Sequence, residues 1–213
     1  IVITISETER PLLRMGGSAN GKCGANDMDD GERYVNDVTI GGQPTAVEIR
    51  LSEYDPGWRI RYERQAERIR SVLQEKAIRI HHVGSTAVPG LCAKPVIDIL
   101  LVVNNAADEA DYLPELQAAG FVLRIREPDW FEHRMFKGTD TEVNLHVFSE
   151  GAAEINRMLR FRDWLCTHEK DRALYAETKR NLARRSWAYL QQYADAKSQV
   201  VEQILKRACM NCE

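Results

Sequence analysis

Apolar residues along this chain change their period several times, and each change marks a predicted element. Val47-Glu48-Ile49-Arg50-Leu51 alternates with period two and predicts a half-buried strand. Asp55-Pro56-Gly57 is a helix-start signal, with Asp55 as the cap and Pro56 at the first helical position. The helix runs to about Gln74 on an apolar stripe of Ile60, Ala66, Ile69, Val72 and Leu73. A strand follows at Ile78 to Val83. Another runs from Pro95 to Val103, apolar on both faces and so placed inside a sheet. Ala106 to Ala119 reads as a helix ending at Gly120, and Phe121 to Ile125 as a short strand. Phe131 to Phe136 and Thr141 to Phe148 read as a hairpin joined through Lys137-Gly138-Thr139-Asp140. The remainder is helical, at 152–167, 171–186 and 188–208. The order predicts an α+β fold: a mixed sheet flanked by helices, with a helical C-terminal third.

Residues 1–45 break this pattern. Seven of the 13 glycines fall there, and the stretch has no usable period. It reads as a disordered or loosely packed extension, leaving 46–208 as one folded domain. The chain starts at Ile1 rather than Met, as expected of a fragment or a processed end. A net charge of −3 over 213 residues lacks the basic excess of a dedicated nucleic-acid binder. No apolar run reaches the ~18 residues of a membrane span. Five scattered cysteines do not make a secreted disulfide framework, and the expected compartment is the reducing cytoplasm. Cys209 and Cys212 form a lone terminal CxxC, more simply two thiols than a metal or redox pair.

Chemistry concentrates between His82 and Ile99. Gly84-Ser85 follows a strand, and the strand after it carries Asp98 among Val96, Ile97, Ile99, Leu100 and Leu101. Glycine permits close approach to a phosphate, and amides at a helix start favour an anion. A carboxylate in an apolar run must be paired or bind a metal. Each residue also has a plainer reading. Ser85 can be a helix cap, Asp98 can be satisfied by Lys94, His82 or backbone amides, and Lys94 can be a surface lysine. Period-two alternation places Asn144, His146 and Phe148 on one strand face, so Asn144 and His146 can complete a site with Asp98. On the partner strand Glu132, Arg134 and Phe136 share one face, His133 and Met135 the other. Either Arg134 or His133 can reach the cleft, depending on register. Arg162 and Asp163, being adjacent, are not expected to face each other on a helix, and one of them turns into the fold. Tyr175/Lys179 and Tyr193/Lys197 repeat an i, i+4 spacing. Lys197 reads as a stem covering apolar surface, whereas Lys179 fits that reading and a basic rim equally.

The run His82-Val83-Gly84-Ser85-Thr86-Ala87-Val88-Pro89-Gly90-Leu91, followed by Ala93-Lys94-Pro95 and Ile97-Asp98-Ile99, closely resembles the GrpB family signature. So do Tyr54-Asp55-Pro56 with Trp58, Leu145-His146-Val147, Phe161-Arg162-Asp163, and the two Tyr/Lys pairs. That family resembles a branch of the nucleotidyltransferase (polymerase β-like) superfamily. The resemblance implies a nucleotidyltransferase-like mixed sheet flanked by helices. Gly84, Ser85, Thr86 and Lys94 would contact phosphates, and Asp98 and His146 would be catalytic and bind a divalent metal, Mg²⁺ or Mn²⁺. His82, Arg134, Arg162 and Lys179 would support them. Some family members are fused to dephospho-CoA kinase. The implied ligand is therefore a nucleoside triphosphate or a CoA-related molecule, and the implied reaction is nucleotidyl or phosphoryl transfer to a small acceptor. The alternative is a nucleotide- or CoA-binding module without turnover. The family pattern departs at Leu100, where active nucleotidyltransferases carry a second acid two residues after the first. Glu48, Glu132 or His146 would have to substitute.

Overall fold

Residues 39–40, 48–187 and 190–210 of the computed structural model are described below, with side chains from residue 192 onward in the last segment. Five strands form one mixed sheet in the order β1-β2-β5-β4-β3. They are β1 (Arg79–Val83), β2 (Ile97–Val103), β3 (Phe121–Glu127), β4 (His133–Gly138) and β5 (Val143–Ser149). β2 and β5 are parallel, and every other neighbouring pair is antiparallel. All seven residues of β2 are buried, which explains its continuous apolar run.

The two faces of the sheet are covered differently. On one, Ile97, Ile99, Leu101, Leu145, Val147 and Phe136 pack against Trp58, Ile69 and Leu73 of helix α1 (Gly57–Leu73) and Leu116 of the short helix α2 (Leu113–Ala118). This is the main core. On the other face Leu100, Val102 and Phe148 meet Ile155 and Met158 of α3 (Ala153–Thr167). Beyond them α3, α4 (Glu169–Ala183) and α6 (Ser198–Met210) enclose a second core with Val88 and Leu91. A six-residue helix, α5 (Leu190–Asp195), precedes α6. Among the described residues, no helix is long and apolar enough to cross a membrane.

Several sequence expectations need correction. The strand predicted at 47–51 does not form over its described part. That segment is irregular, and Ser52 instead makes a two-bond bridge with Ala93. Ile60 lies outside the apolar stripe and is 55% exposed, while Gln65 takes an inward position and donates to Thr141 Oγ1. The helix expected over 106–119 shrinks to a 3₁₀ turn (Glu109–Asp111) and α2. Pro114 sits in the first turn of α2, where its missing N–H does no harm, and its ring prevents a longer helix through it. β4 begins at His133 rather than Phe131, because Phe131 and Glu132 adopt positive φ of 52° and 53° in the preceding turn. The last predicted helix is broken between α5 and α6 by a turn at Ala196 and Lys197. Asp55 does cap α1, accepting the Gly57 N–H at 2.8 Å. Within the stretch read as a loose extension, Thr39 bridges Ile125 and the Ile40 N–H reaches the Arg124 carbonyl. The remainder of that stretch, and Cys212 of the CxxC, lie outside the described residues; Cys209 is exposed.

Leu145→Ala on the middle strand should cost about 2–5 kcal/mol in urea unfolding, as for other large-to-small core changes. Ile60→Ala should stay within about 0.5 kcal/mol of the parent, and a large loss there would restore Ile60 to the core.

Candidate functional site

The site is built around Asp98, buried on the helix-covered face at the start of β2. Register fixes its neighbours. Val83 of β1 and Asn144 of β5 stand directly opposite Asp98, and His146 stands opposite Leu100. Asn144 Nδ2 donates to Asp98 Oδ1 at 2.7 Å. His146 Nε2 lies 3.8 Å from the same oxygen, too far for a hydrogen bond. Asn144, His146 and Phe148 therefore share the site face, as their alternation predicts.

The chain enters this site through Gly84. Its φ of 70° and ψ of −169° suit glycine, and a Cβ there would stand 2.4 Å from Asp98 Oδ2. Position 84 is closed to side chains both by its backbone and by the carboxylate beneath it. The 3₁₀ turn Ser85–Ala87 follows, with Ser85 and Thr86 buried. Their hydroxyls point to different partners. Ser85 Oγ accepts from Lys179 Nζ at 3.0 Å. Thr86 Oγ1 donates to the Val96 carbonyl at 3.3 Å and lies 3.0 Å from His82 Nε2. Thr86 thus ties β1 to the start of β2. His82 is stacked on Tyr62 at 4.6 Å, and its carbonyl accepts from Arg162 Nη1 at 2.9 Å. Burial pushes the His82 imidazole down to about 4.

Two lysines from the helical third complete the site. Lys179 is buried, donates to Ser85 and to the Cys92 carbonyl, and lies over the Tyr175 ring at 4.8 Å. Burial lowers its ammonium to about 7. Lys197 is equally buried over the Tyr193 ring at 4.6 Å, with no hydrogen-bond partner on Nζ. Burial lowers it to about 8, with the Asp98 charge opposing that shift. The reading of Lys197 as a stem on apolar surface is therefore overturned, because the break before α6 turns it inward. Half-buried Lys137 on β4 is lowered by burial and coupled to both Asp98 and Lys94. Extending the Met135 alternation by two residues would have found it.

Other candidates lie elsewhere. Arg134 faces the opposite side of the sheet, opposite Val147, and its Nε donates to Glu109 at 2.6 Å. His133 takes the site side instead. Glu132 pairs loosely with Arg134 at 3.4 Å, and Glu48 is exposed and paired with Arg50, so neither acid approaches Asp98. Arg162 does pair with adjacent Asp163, at 2.7 Å, because its long guanidinium reaches where helix geometry alone would not. Glu127, which sequence reasoning missed, is buried at the end of β3 against His133. Among the described residues, no group of three or more His, Cys, Asp or Glu converges as a metal cluster.

Burial also lowers His146 to about 4. Between about pH 6.5 and 4 the unfolded chain then binds protons at positions 82 and 146 that the folded chain does not. Acidification through that window should lower the urea midpoint, and His82→Gln should remove part of the slope. Gly84→Ala should destabilise the fold by about 2 kcal/mol or more through the strained backbone and the clash. An unchanged midpoint would mean that the turn and Asp98 are not in contact.

Comparison with known proteins agrees with this architecture. The family model described as GrpB protein matches residues 48–207. A UPF0157 protein of Halalkalibacterium halodurans is 56% identical over 88% of this chain and 96% of its own length. A dephospho-CoA kinase of Mycolicibacterium paratuberculosis is 28% identical, the match covering 75% of this chain and 46% of that protein. The crystal structure of the conserved protein GrpB from Enterococcus faecalis aligns with a TM-score of 0.67 at 28% identity. That alignment covers 75% of this chain and 96% of the solved one. With its sheet, its Gly84 turn and the match over residues 48–207 together, this chain belongs to the GrpB family.

Proposed function

We propose that the cleft over Asp98 binds the phosphates of a nucleoside triphosphate or a CoA-related molecule and supports metal-assisted nucleotidyl or phosphoryl transfer to a small acceptor. The observation that carries this reading is Lys197. An ammonium buried without a hydrogen-bond partner is expensive, and an anion entering the cleft relieves that cost. Lys179 and Ser85 add a bonded pair of donors at the mouth of the Gly84 turn. Lys94 and Lys137 add positive charge near Asp98, partly offset by Asp195 and Glu142. Such a ring favours a ligand with several negative oxygens. The relative named dephospho-CoA kinase supports CoA-related ligands among the candidates. The free thiols of Cys92, Cys166 and Cys209 accord with a reaction in the reducing cytoplasm.

Asp98 and His146 are the residues that would hold a divalent ion, Mg²⁺ or Mn²⁺. His146 Nε2 and Asn144 Oδ1 are buried acceptors without a partner, which fits a cation beside Asp98. When bound, the ion would polarise a phosphoryl oxygen and offset its developing charge. The protein's own part is to anchor phosphates through Ser85, Lys179 and Lys197, and to exclude water. Leu100 favours a second reading. It lies on the site face opposite His146, where it contributes no ligand, as expected of a module that binds without turnover.

Lys197→Met should weaken ATP or CoA binding by at least about tenfold in calorimetry. It should also leave the protein unchanged or up to about 4 kcal/mol more stable, because a buried charge is removed and no hydrogen-bond partner is orphaned. Between about pH 8 and the ordinary lysine range, the unfolded chain holds the proton that folded Lys197 lacks. Raising pH therefore favours the parent fold, and Lys197→Met should flatten that rise. Asp98→Ala should abolish divalent-dependent binding of the same ligands. Unchanged affinities in both variants would overturn the reading. Binding with no pyrophosphate or phosphate released over a panel of acceptors would select the module without turnover.

A further inference from the structure

Behind Asp98 a column of buried polar groups crosses the sheet. Glu127 at the end of β3 faces His133 at the start of β4, with Oε2 2.5 Å from His133 Nδ1. His133 Nε2 is 3.1 Å from His146 Nδ1. His133 is fully buried, and its ring is held by Phe148, stacked at 4.7 Å, and by Trp130, edge-on at 5.0 Å. An ionised carboxylate only accepts, so His133 Nδ1 carries a proton toward Glu127. In the neutral imidazole Nε2 is then the acceptor, and His146 Nδ1 must donate to it. That assignment leaves His146 Nε2 as a bare lone pair.

The lone pair lies on the Asp98 side. His146 Nε2 is buried, has no hydrogen-bond partner, and stands 3.8 Å from Asp98 Oδ1. Two donors each about 2.0–2.2 Å from one ion can stand up to about 4.4 Å apart, so this separation admits an ion between them. Asn144 Oδ1 is a second buried acceptor without a partner, because its amide nitrogen is turned to Asp98. Two unsatisfied acceptors beside a carboxylate call for an electropositive occupant. One of the donors is an imidazole nitrogen, a poor ligand for hard Mg²⁺ and a good one for borderline ions. A ligating histidine held by an outer hydrogen-bonded carboxylate is a recurrent device of such sites.

We propose that Asp98, Asn144 and His146 bind a single borderline ion of the Mn²⁺, Co²⁺ or Zn²⁺ class in preference to Mg²⁺, with His133 and Glu127 as positioning residues that present His146 Nε2 as the ligand. The proposal rests on the cleft being the binding site, and it adds the choice of metal. Leu100 fits it, since a two-ion site needs a further bridging acid that this chain does not supply. Open coordination positions would fall to water or to phosphate oxygens.

Calorimetric titration of metal-stripped full chain with MnCl₂, ZnCl₂ and MgCl₂, each with and without ATP, tests this. Mn²⁺ or Zn²⁺ should bind at least about tenfold more tightly than Mg²⁺. Glu127→Gln should weaken that binding by about 10–100-fold while near-ultraviolet circular dichroism shows native packing. His146→Asp, which exchanges the imidazole for a carboxylate, should bring Mg²⁺ to parity or better and keep the proposal testable if Glu127→Gln folds poorly. Co²⁺ absorption should show ligand-field bands that shift in His146→Asp. Equal affinity for Mg²⁺ and Mn²⁺, no metal binding with or without ATP, or an unshifted Co²⁺ spectrum would overturn the proposal. ATP binding measured in EDTA reports on the lysines alone. If it persists while the metal preference fails, the metal site is wrong and the phosphate site stands. If ATP binds neither with Mn²⁺ nor in EDTA while Mn²⁺ itself binds, the phosphate reading is the one that fails.

Discussion

The constraint on which the rest of this structure depends is the burial of Asp98 in an otherwise apolar strand. Taking a carboxylate out of water costs several kcal/mol after relaxation, and the surroundings must offset it. Each nearby feature can be read as a response. Position 84 carries no side chain because the carboxylate occupies the space a Cβ would take. Asn144 turns its amide toward the acid. The opposite face of the sheet is mainly apolar and closed by α1 and α2, with Arg134 and Glu109 paired toward its edge. Asp98 and His146 thus lie buried on adjacent strands, beside the apolar cluster of Leu100, Val102 and Phe148.

The C-terminal helices are part of the site as well as of the core. α4 sends Lys179 to Ser85, and the turn before α6 buries Lys197 over the Tyr193 ring. Both ammonium groups rest over tyrosine rings, which attract a cation through their quadrupole. Burial opposes that attraction and lowers both ammonium groups, to about 7 and about 8. Two lysines held in the interior at this cost are what the proposed anion site rests on. The helical third and the Gly84 turn are thereby coupled, since neither alone encloses the charges.

The histidine column gives the same acid a second kind of neighbour. Where a second carboxylate would harden the site, Leu100 packs against Phe148 and α3, and His146 approaches from β5. A relay of Glu127, His133 and His146 is rigid because its middle ring is clamped between aromatic groups. Rigidity of this kind fixes a tautomer, and a tautomer decides which nitrogen faces the cleft.

Much of this was legible along the chain. The fully apolar run of β2 announced an interior strand, and Asp98 within it announced a site. Period two placed Asn144, His146 and Phe148 together, because strand side chains alternate whatever the partner. The Gly84-Ser85 turn and Asp98 were also recognisable through the family signature. What alternation could not decide was register and reach. His133 rather than Arg134 takes the site side because β4 pairs Met135 with His146 and Arg134 with Val147. Glu127 joins the relay because β3 runs on past Ile125. Lys197 turns inward because a helix breaks before it, with neither proline nor glycine to signal the break. Local pattern determined which residues lie on which face of each element. Only tertiary packing decided which faces meet, because burial energy is set by contacts between segments far apart in sequence.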